Sequence, residues 1–364
     1  MRKFLAILMI VLMIAPERTN AQGCVAIRST GAMCMKPDAT ADAHKGWQLN
    51  TSYRYFRSFR HFVGTEEQKE RLEHNTEVIN WQHSLDLALV RHFNSRWSLA
   101  MNMPIISNVR SSLYEHGGNN AGKNARNKTR SFGVGDIRFT GYYWLLDPAK
   151  SRKGNIQVGL GIKLPTGDYK YQDFFVKNDS TKILGPVDQS IQLGDGGTGF
   201  TTEVNAYYNF SENIGVYGNF YYLFNPREQN GVSTARGGTP SATAITYGSS
   251  VMSVPDQYMA RAGVIASLDG ISFSAGARME CVPSTDLIGG SSGFRRPGYV
   301  LSVEPGLAYQ FKKFGAFATV PIALKRDRTQ SYADKQRTRI TGVYAQGDAA
   351  FADYSINIGC SFKL

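Results

Sequence analysis

Twelve charged residues stand where charge is costly, at alternate positions of otherwise apolar segments. Arg54, Arg138, Lys163, Arg261, Arg278 and Lys325 are positive, and Asp86, Asp136, Glu203, Glu280, Glu304 and Asp353 are negative. Six of each sign balance. Charges removed from bulk water persist only when paired. Such a set can brace an interior with ion pairs, or it can line a weakly selective aqueous path. Both uses need one geometry, with the charges on one face and their apolar neighbours on the other.

Strands supply that geometry, because successive side chains point to opposite faces. The first alternating segment covers Trp47 to Arg57, with Leu49, Thr51, Tyr53 and Tyr55 on one face. Glu77 to Val90 follows, then segments marked by Trp97 to Ile105, Ile137 to Leu145, Ile156 to Leu164, Val204 to Phe210 and Ile214 to Phe224. Tyr258 to Leu268, Ile271 to Met279, Tyr299 to Phe311, Ala316 to Leu324 and Tyr354 to Leu364 complete twelve. Asp269-Gly270 between two alternating runs is a strong hairpin signal. Asn94-Ser95-Arg96, Asp147-Pro148, Ser211-Glu212-Asn213 and Lys312-Lys313 make the other short turns.

The connections alternate short and long. The long ones run from about Ser58 to Asn75, Ile106 to Val134, Thr166 to Thr198, Asn225 to Pro255, Val282 to Pro297 and Arg326 to Asp348. Connections of this length are foreign to a compact soluble sandwich. Trp81, Trp97, Tyr143, Tyr222, Phe224, Tyr299, Tyr309 and Phe311 gather near the ends of the apolar faces, as in a membrane girdle. The expected fold is therefore all-β: a transmembrane antiparallel β-barrel of about twelve strands, with short periplasmic turns and long extracellular loops. Pro305 and Pro321 each remove a ladder hydrogen bond, and bulges are expected there. The terminal strand ends on Phe362, followed by Lys363 and Leu364.

The N-terminus adds a compartment. Arg2 and Lys3 precede an apolar run from Phe4 to Ala15, too short for a membrane helix, and Thr19-Asn20-Ala21 offers a cut before Gln22. The expected organisation is a signal peptide at 1–21, a periplasmic segment at 22–46 and a barrel at 47–364. An uncleaved anchor or a lipid-modified Cys24 fits less well. Losing Arg2, Lys3, Arg18 and Glu17 lowers the net charge from +12 to +10. In an exported chain that excess points to outer-membrane lipid and lipopolysaccharide or to acidic solutes, not to nucleic acid. Arg110, Lys123, Arg126, Lys128 and Arg130 form one basic loop cluster, and Lys325, Arg326, Arg328, Lys335, Arg337 and Arg339 another. Both are read mainly as solvated faces. Cys24 and Cys34 are candidates for a disulfide in an oxidising periplasm.

Other candidate chemistry is weak. Gly117 to Asn124 reads GGNNAGKN, without the Ser or Thr that a phosphate loop needs. Asp188, Asp195 and nearby glycines suit turns as well as calcium, and no cofactor or metal is expected. Pro186-Val187-Asp188-Gln189-Ser190 and Val254-Pro255-Asp256-Gln257-Tyr258 echo each other and are expected to be loop-to-strand corners whose Asp caps backbone amides. His83 faces outward in mid-strand without a serine motif, so lipid hydrolysis is the least favoured activity.

Gly135-Asp136-Ile137 through Tyr143, then Leu145-Leu146-Asp147-Pro148, then Gly159 to Asp168 (GLGIKLPTGD) carry one resemblance. This hairpin is similar to that of the MetA-pathway phenol-degradation group of outer-membrane transporters. The close match covers about 35 residues. The resemblance implies a twelve-stranded barrel and passive uptake of small solutes, aromatic or hydrophobic ones among them. The alternative is a non-conducting scaffold barrel that docks a protein partner through its N-terminal segment or loops.

Overall fold

The computed structural model describes residues 45–117, 126–178, 180–311 and 314–364. The leader, Cys24 and Cys34, most of the periplasmic segment, the GGNNAGKN string beyond Gly117 and the Lys312-Lys313 turn lie outside the described residues.

The strands are β1 (Gly46–Val63), β2 (Glu66–Glu67), β3 (Ile79–His92), β4 (Trp97–Ser112), β5 (Asn127–Val134), β6 (Arg138–Trp144), β7 (Gly154–Lys163), β8 (Gln172–Val176), β9 (Lys182–Pro186) and β10 (Gly199–Asn209). They continue as β11 (Ile214–Phe224), β12 (Gln229–Ser233), β13 (Val251–Ser253), β14 (Gln257–Leu268), β15 (Ile271–Val282), β16 (Gly298–Gln310), β17 (Phe314–Thr319), β18 (Ile322–Asp327) and β19 (Ala349–Lys363). Twelve antiparallel crossings form the wall, with β17 and β18 as two halves of one. β19 returns to β1, from Gln48 opposite Lys363 to Phe62 opposite Ala349, and closes the ring.

The alternation read from the sequence is the in–out alternation of this wall. Along β4, Trp97 and Leu99 are exposed while Ala100, Asn102 and Asn108 are buried. Leu160, Val264, Phe273 and Leu307 face outward in the same way. At the short-turn end, aromatic contacts ring the wall: Trp97 against Tyr143 at 4.6 Å, Tyr309 against Phe311 at 4.4 Å, and Phe311 against Phe314 at 4.2 Å.

The structure departs from expectation at the long-loop end. β1 runs on to Val63 and β4 to Ser112, so two of the expected loops are partly strand. β5 pairs with the far half of β4, and β8–β9 and β12–β13 form separate small sheets. Pro305 causes no bulge, since β15 and β16 stay in register through Ala275 opposite Pro305. Pro321 instead splits the eleventh crossing into β17 and β18. Gly306 faces Thr319 and Val303 faces Ile322, so the two prolines share one interruption of the ladder. The one bulge in this pairing lies at Leu324, between Lys325 opposite Leu301 and Ala323 opposite Ser302.

Inward rings lie flat along the wall because glycine lets them. Tyr217 sits opposite Gly263, which sits opposite Gly276. A Cβ on Gly276 would come 2.6 Å from the Tyr217 hydroxyl oxygen and 2.5 Å from the Ala262 carbonyl oxygen. We expect Gly276→Val to cost about 1–3 kcal/mol through overpacking. Thermal loss of the folded band on an unheated gel measures it, and Tyr217→Ala added to Gly276→Val should recover part of the loss.

Candidate functional site

The inner face carries ion pairs that cross the lumen. Arg54 on β1 meets Glu280 on β15 at 3.6 Å, although three wall crossings separate those strands. Glu280 also takes Arg278 at 2.9 Å, and Arg278 and Arg261 both reach Glu304, at 3.4 and 3.6 Å. Arg54 donates a further hydrogen bond to Asn357 at 2.8 Å. On the opposite wall Arg138 donates to the Tyr221 hydroxyl at 3.0 Å, and the Tyr142 hydroxyl donates to Glu203 at 2.9 Å. Asp86 accepts from Ser84 at 2.8 Å. Lys163 pairs with Asp136 at 3.3 Å and with Asp195, a loop residue. Asp353 pairs with Arg60 at 2.9 Å and Arg326 at 2.6 Å near the long-loop end.

Lys325 stands apart. It is exposed, opposite the outward-facing Leu301, with its ammonium 5.5 Å from the Tyr299 ring centre. The extra residue at Leu324 shifts the side-chain phase, so Arg326 turns inward in its place and is buried. Strict alternation from the sequence cannot register that shift.

Three loop segments fold into the barrel mouth and roof it. Asp188 ties two of them to each other and to the wall. It accepts from both terminal nitrogens of Arg296, at 2.8 and 2.7 Å, from its own loop at the Ser190 amide at 3.0 Å, and it lies 3.4 Å from Arg110 of β4. Burial works against its charge, but Arg110 and Arg296 outweigh burial and hold its carboxyl well below the usual range. Arg295, fully buried, is clamped by both oxygens of Asp286 at 2.7 and 2.6 Å. Asp286 in turn accepts from the Asp256 amide at 2.9 Å. Asp256 accepts from the amides of Asn225 and Leu287, at 2.7 and 2.9 Å. The two echoing Pro/Val–Asp–Gln corners therefore do different work. Asp188 caps its own turn and binds Arg296 of another loop through its side chain, whereas Asp256 ties the start of its own loop to the Leu287 segment.

This roof divides the interior. Beneath it lies a cavity of about 150 Å³, and on the long-loop side a vestibule of about 710 Å³. Arg295 and Arg296 line both, so they form the partition. The inner cavity mixes Phe56, Leu193 and Met252 with Arg54, Arg138 and Lys163.

The loop charges read as solvated faces sort differently. Arg110 is buried and paired with Glu115 at 2.9 Å, and Arg126 pairs with Glu77 at 3.2 Å. Arg328 is buried on Asp334 at 3.1 Å. Lys128 and Arg130 stay exposed, while Lys123 lies outside the described residues. Asp188 and Asp195, weighed as calcium ligands, face guanidinium and ammonium groups. The His83 Nδ1 is 2.7 Å from the Tyr53 hydroxyl, and its ring centre lies 4.9 Å from that of Tyr55. Sequence reasoning missed Arg295, Arg296 and Asp286 as interior groups. Only the repeated Asp–Gln corners hinted at a built roof.

Removing Asp188 leaves buried guanidinium groups short of a partner, a change that costs about 3–5 kcal/mol in comparable buried pairs. We expect Asp188→Ala to loosen the roof, read as faster protease cutting within residues 283–297 of reconstituted protein. Because the folded carboxyl titrates below its unfolded value of about 3.9, its contribution is present above that pH and is lost as pH falls. Cutting of the native chain should thus stay slow from pH 8 to about 4 and rise below, when probed with an acid-active protease.

No protein-family model and no curated protein matches the chain. Among solved structures, the COG4313 outer membrane channel from Pseudomonas putida F1 is similar with a TM-score of 0.58 at 12% identity, over 91% of this chain and 100% of that one. The translocator domain of autotransporter NalP from Neisseria meningitidis aligns at 0.43 and 12% identity, over 90% of this chain and 91% of that one. The Pseudomonas putida toluene transporter TodX aligns at 0.41 and 9% identity, over 95% and 96%. The fold comparison rests on the first. With its closed twelve-strand wall, outward apolar band and aromatic girdle, the chain is an integral β-barrel of the outer membrane.

Proposed function

We propose that the barrel is a passive channel for small solutes, taken from the vestibule past the Arg295–Arg296 partition into the inner cavity. The observation that carries this reading is the continuity of lining: the same two arginines border both spaces. A barrel built only as a scaffold has no need of a hollow on each side of one partition. The paired charges along the path leave little net field, which suits neutral or zwitterionic solutes over ions of one sign. Phe56, Leu193 and Met252 beside guanidinium groups suit a small aromatic molecule with a polar substituent. The outer membrane channel with which the barrel shares its fold is in keeping with that reading.

The test is conductance of the purified protein in planar bilayers. We expect small discrete steps in the native chain and larger steps in Asp188→Ala. Liposomes loaded with the protein should swell faster in a phenol-sized neutral solute than in a disaccharide. A folded protein that passes neither current nor solute sinks the channel reading.

A further inference from the structure

The outward face carries cations against aromatic rings at both edges of the apolar band. From Trp47 to Arg57 the outward residues of β1 span ten positions, about 33 Å along the strand. At a tilt near 40° that is about 25 Å of depth, the height of the apolar band of such barrels. Arg91 lies 5.2 Å from the Trp47 ring centre at the short-turn edge. At the long-loop edge, Arg57 and Lys128 share one ring: Trp81 has the Arg57 guanidinium at 5.9 Å and the Lys128 ammonium at 5.2 Å.

The strand register explains why they converge. Arg57 sits opposite Trp81, Trp81 opposite Val109, and Val109 opposite Arg130. Lys128 is two residues along β5 from Arg130 on the same face, and Arg57, Lys128 and Arg130 are all exposed. Three strand steps put Arg57 and Arg130 on the order of 14 Å apart. Arg60, Arg71, Arg110 and Arg126 at this end are all taken up by carboxylates. Among the described residues no ion pair takes up the side chain of Arg57, Lys128 or Arg130; Asp173 accepts the Arg130 backbone amide at 2.7 Å. Three cations around an interfacial tryptophan, at the level of the outer-leaflet headgroups, have no side-chain ion pair among the described residues, while the nearby Asp173 carboxylate is engaged by the Arg130 and Phe174 amides.

We propose that Arg57, Lys128 and Arg130, arranged around Trp81, form a docking site for the phosphorylated headgroup of an outer-leaflet glycolipid. The occupant is a disaccharide lipid with a phosphate at each end, as in lipid A. Its phosphates take charge-assisted hydrogen bonds from the exposed cations, and its sugars lie at the level of the Trp81 ring.

The experiment titrates full-length protein in detergent with purified bisphosphorylated lipid A and with the same lipid enzymatically stripped of phosphate. The native protein should bind the phosphorylated form at least tenfold more tightly. The triple variant Arg57→Gln, Lys128→Gln, Arg130→Gln should lose that preference. A matched triple at the periplasmic turn, Lys150→Gln, Arg152→Gln, Lys153→Gln, should keep it. Heat-dependent gel mobility checks that each variant is folded. Equal binding of the two lipids by the native protein overturns the proposal even if the variant fails to fold. So does a folded triple variant that binds like the control.

Discussion

Lipid offers no hydrogen-bond partner, so the backbone of every wall strand must be satisfied by its neighbours. The pairing of β19 with β1 meets that demand, and the rest of the structure follows from it. Closure by an antiparallel circuit places both ends of the wall, at the start of β1 and the end of β19, on one side and sends the long connections to the other. It also forbids an edge, so the donors lost at Pro305 and Pro321 have nowhere harmless to go. Facing the two prolines across β16 and the β17–β18 junction confines both losses to one interruption of the ladder. Ser355 and Val320 donate amides to the Pro321 and Pro305 carbonyls there, which keeps the acceptors occupied.

Closure makes an interior, and the interior sets the second condition. A polar phase that points inward on twelve strands brings charges together in a confined space, where they must find opposite partners. The chain of Arg54, Glu280, Arg278, Glu304 and Arg261 answers that need and narrows the passage at the same time. Outside, no such demand applies. Cations at the membrane rim can rest on aromatic rings with their heads toward the headgroups, as Lys325 does on Tyr299. The basic excess of the chain is thus carried by positions that need no internal partner.

The roof obeys the interior rule with loop residues. Asp188 accepts from Arg296, Asp256 from the Leu287 amide and Asp286 from the Asp256 amide, each on another segment, so the inserted loops hold one another in place. A loop tied only to itself would drift toward solvent. The bidentate Arg295–Asp286 and Arg296–Asp188 pairs fix both distance and angle, which a lysine could not do.

The alternation of residues was enough to specify twelve crossings, their inward and outward faces and the side bearing the long loops. That information is local: a pleat repeats every two residues, and lipid on one face makes the repeat visible. Ile214–Phe224 was legible to the residue. The extension of β1 and β4 was not, because beyond the membrane an outward position no longer has to be apolar. Nor was the inward turn of Arg326, since a single extra residue at Leu324 reverses the phase without changing composition. The partition lay furthest from view. Arg296 and Asp188 are 108 residues apart, and nothing local marks either as the other's partner. Only the curvature of the closed wall and the path of the loops into its mouth bring them together.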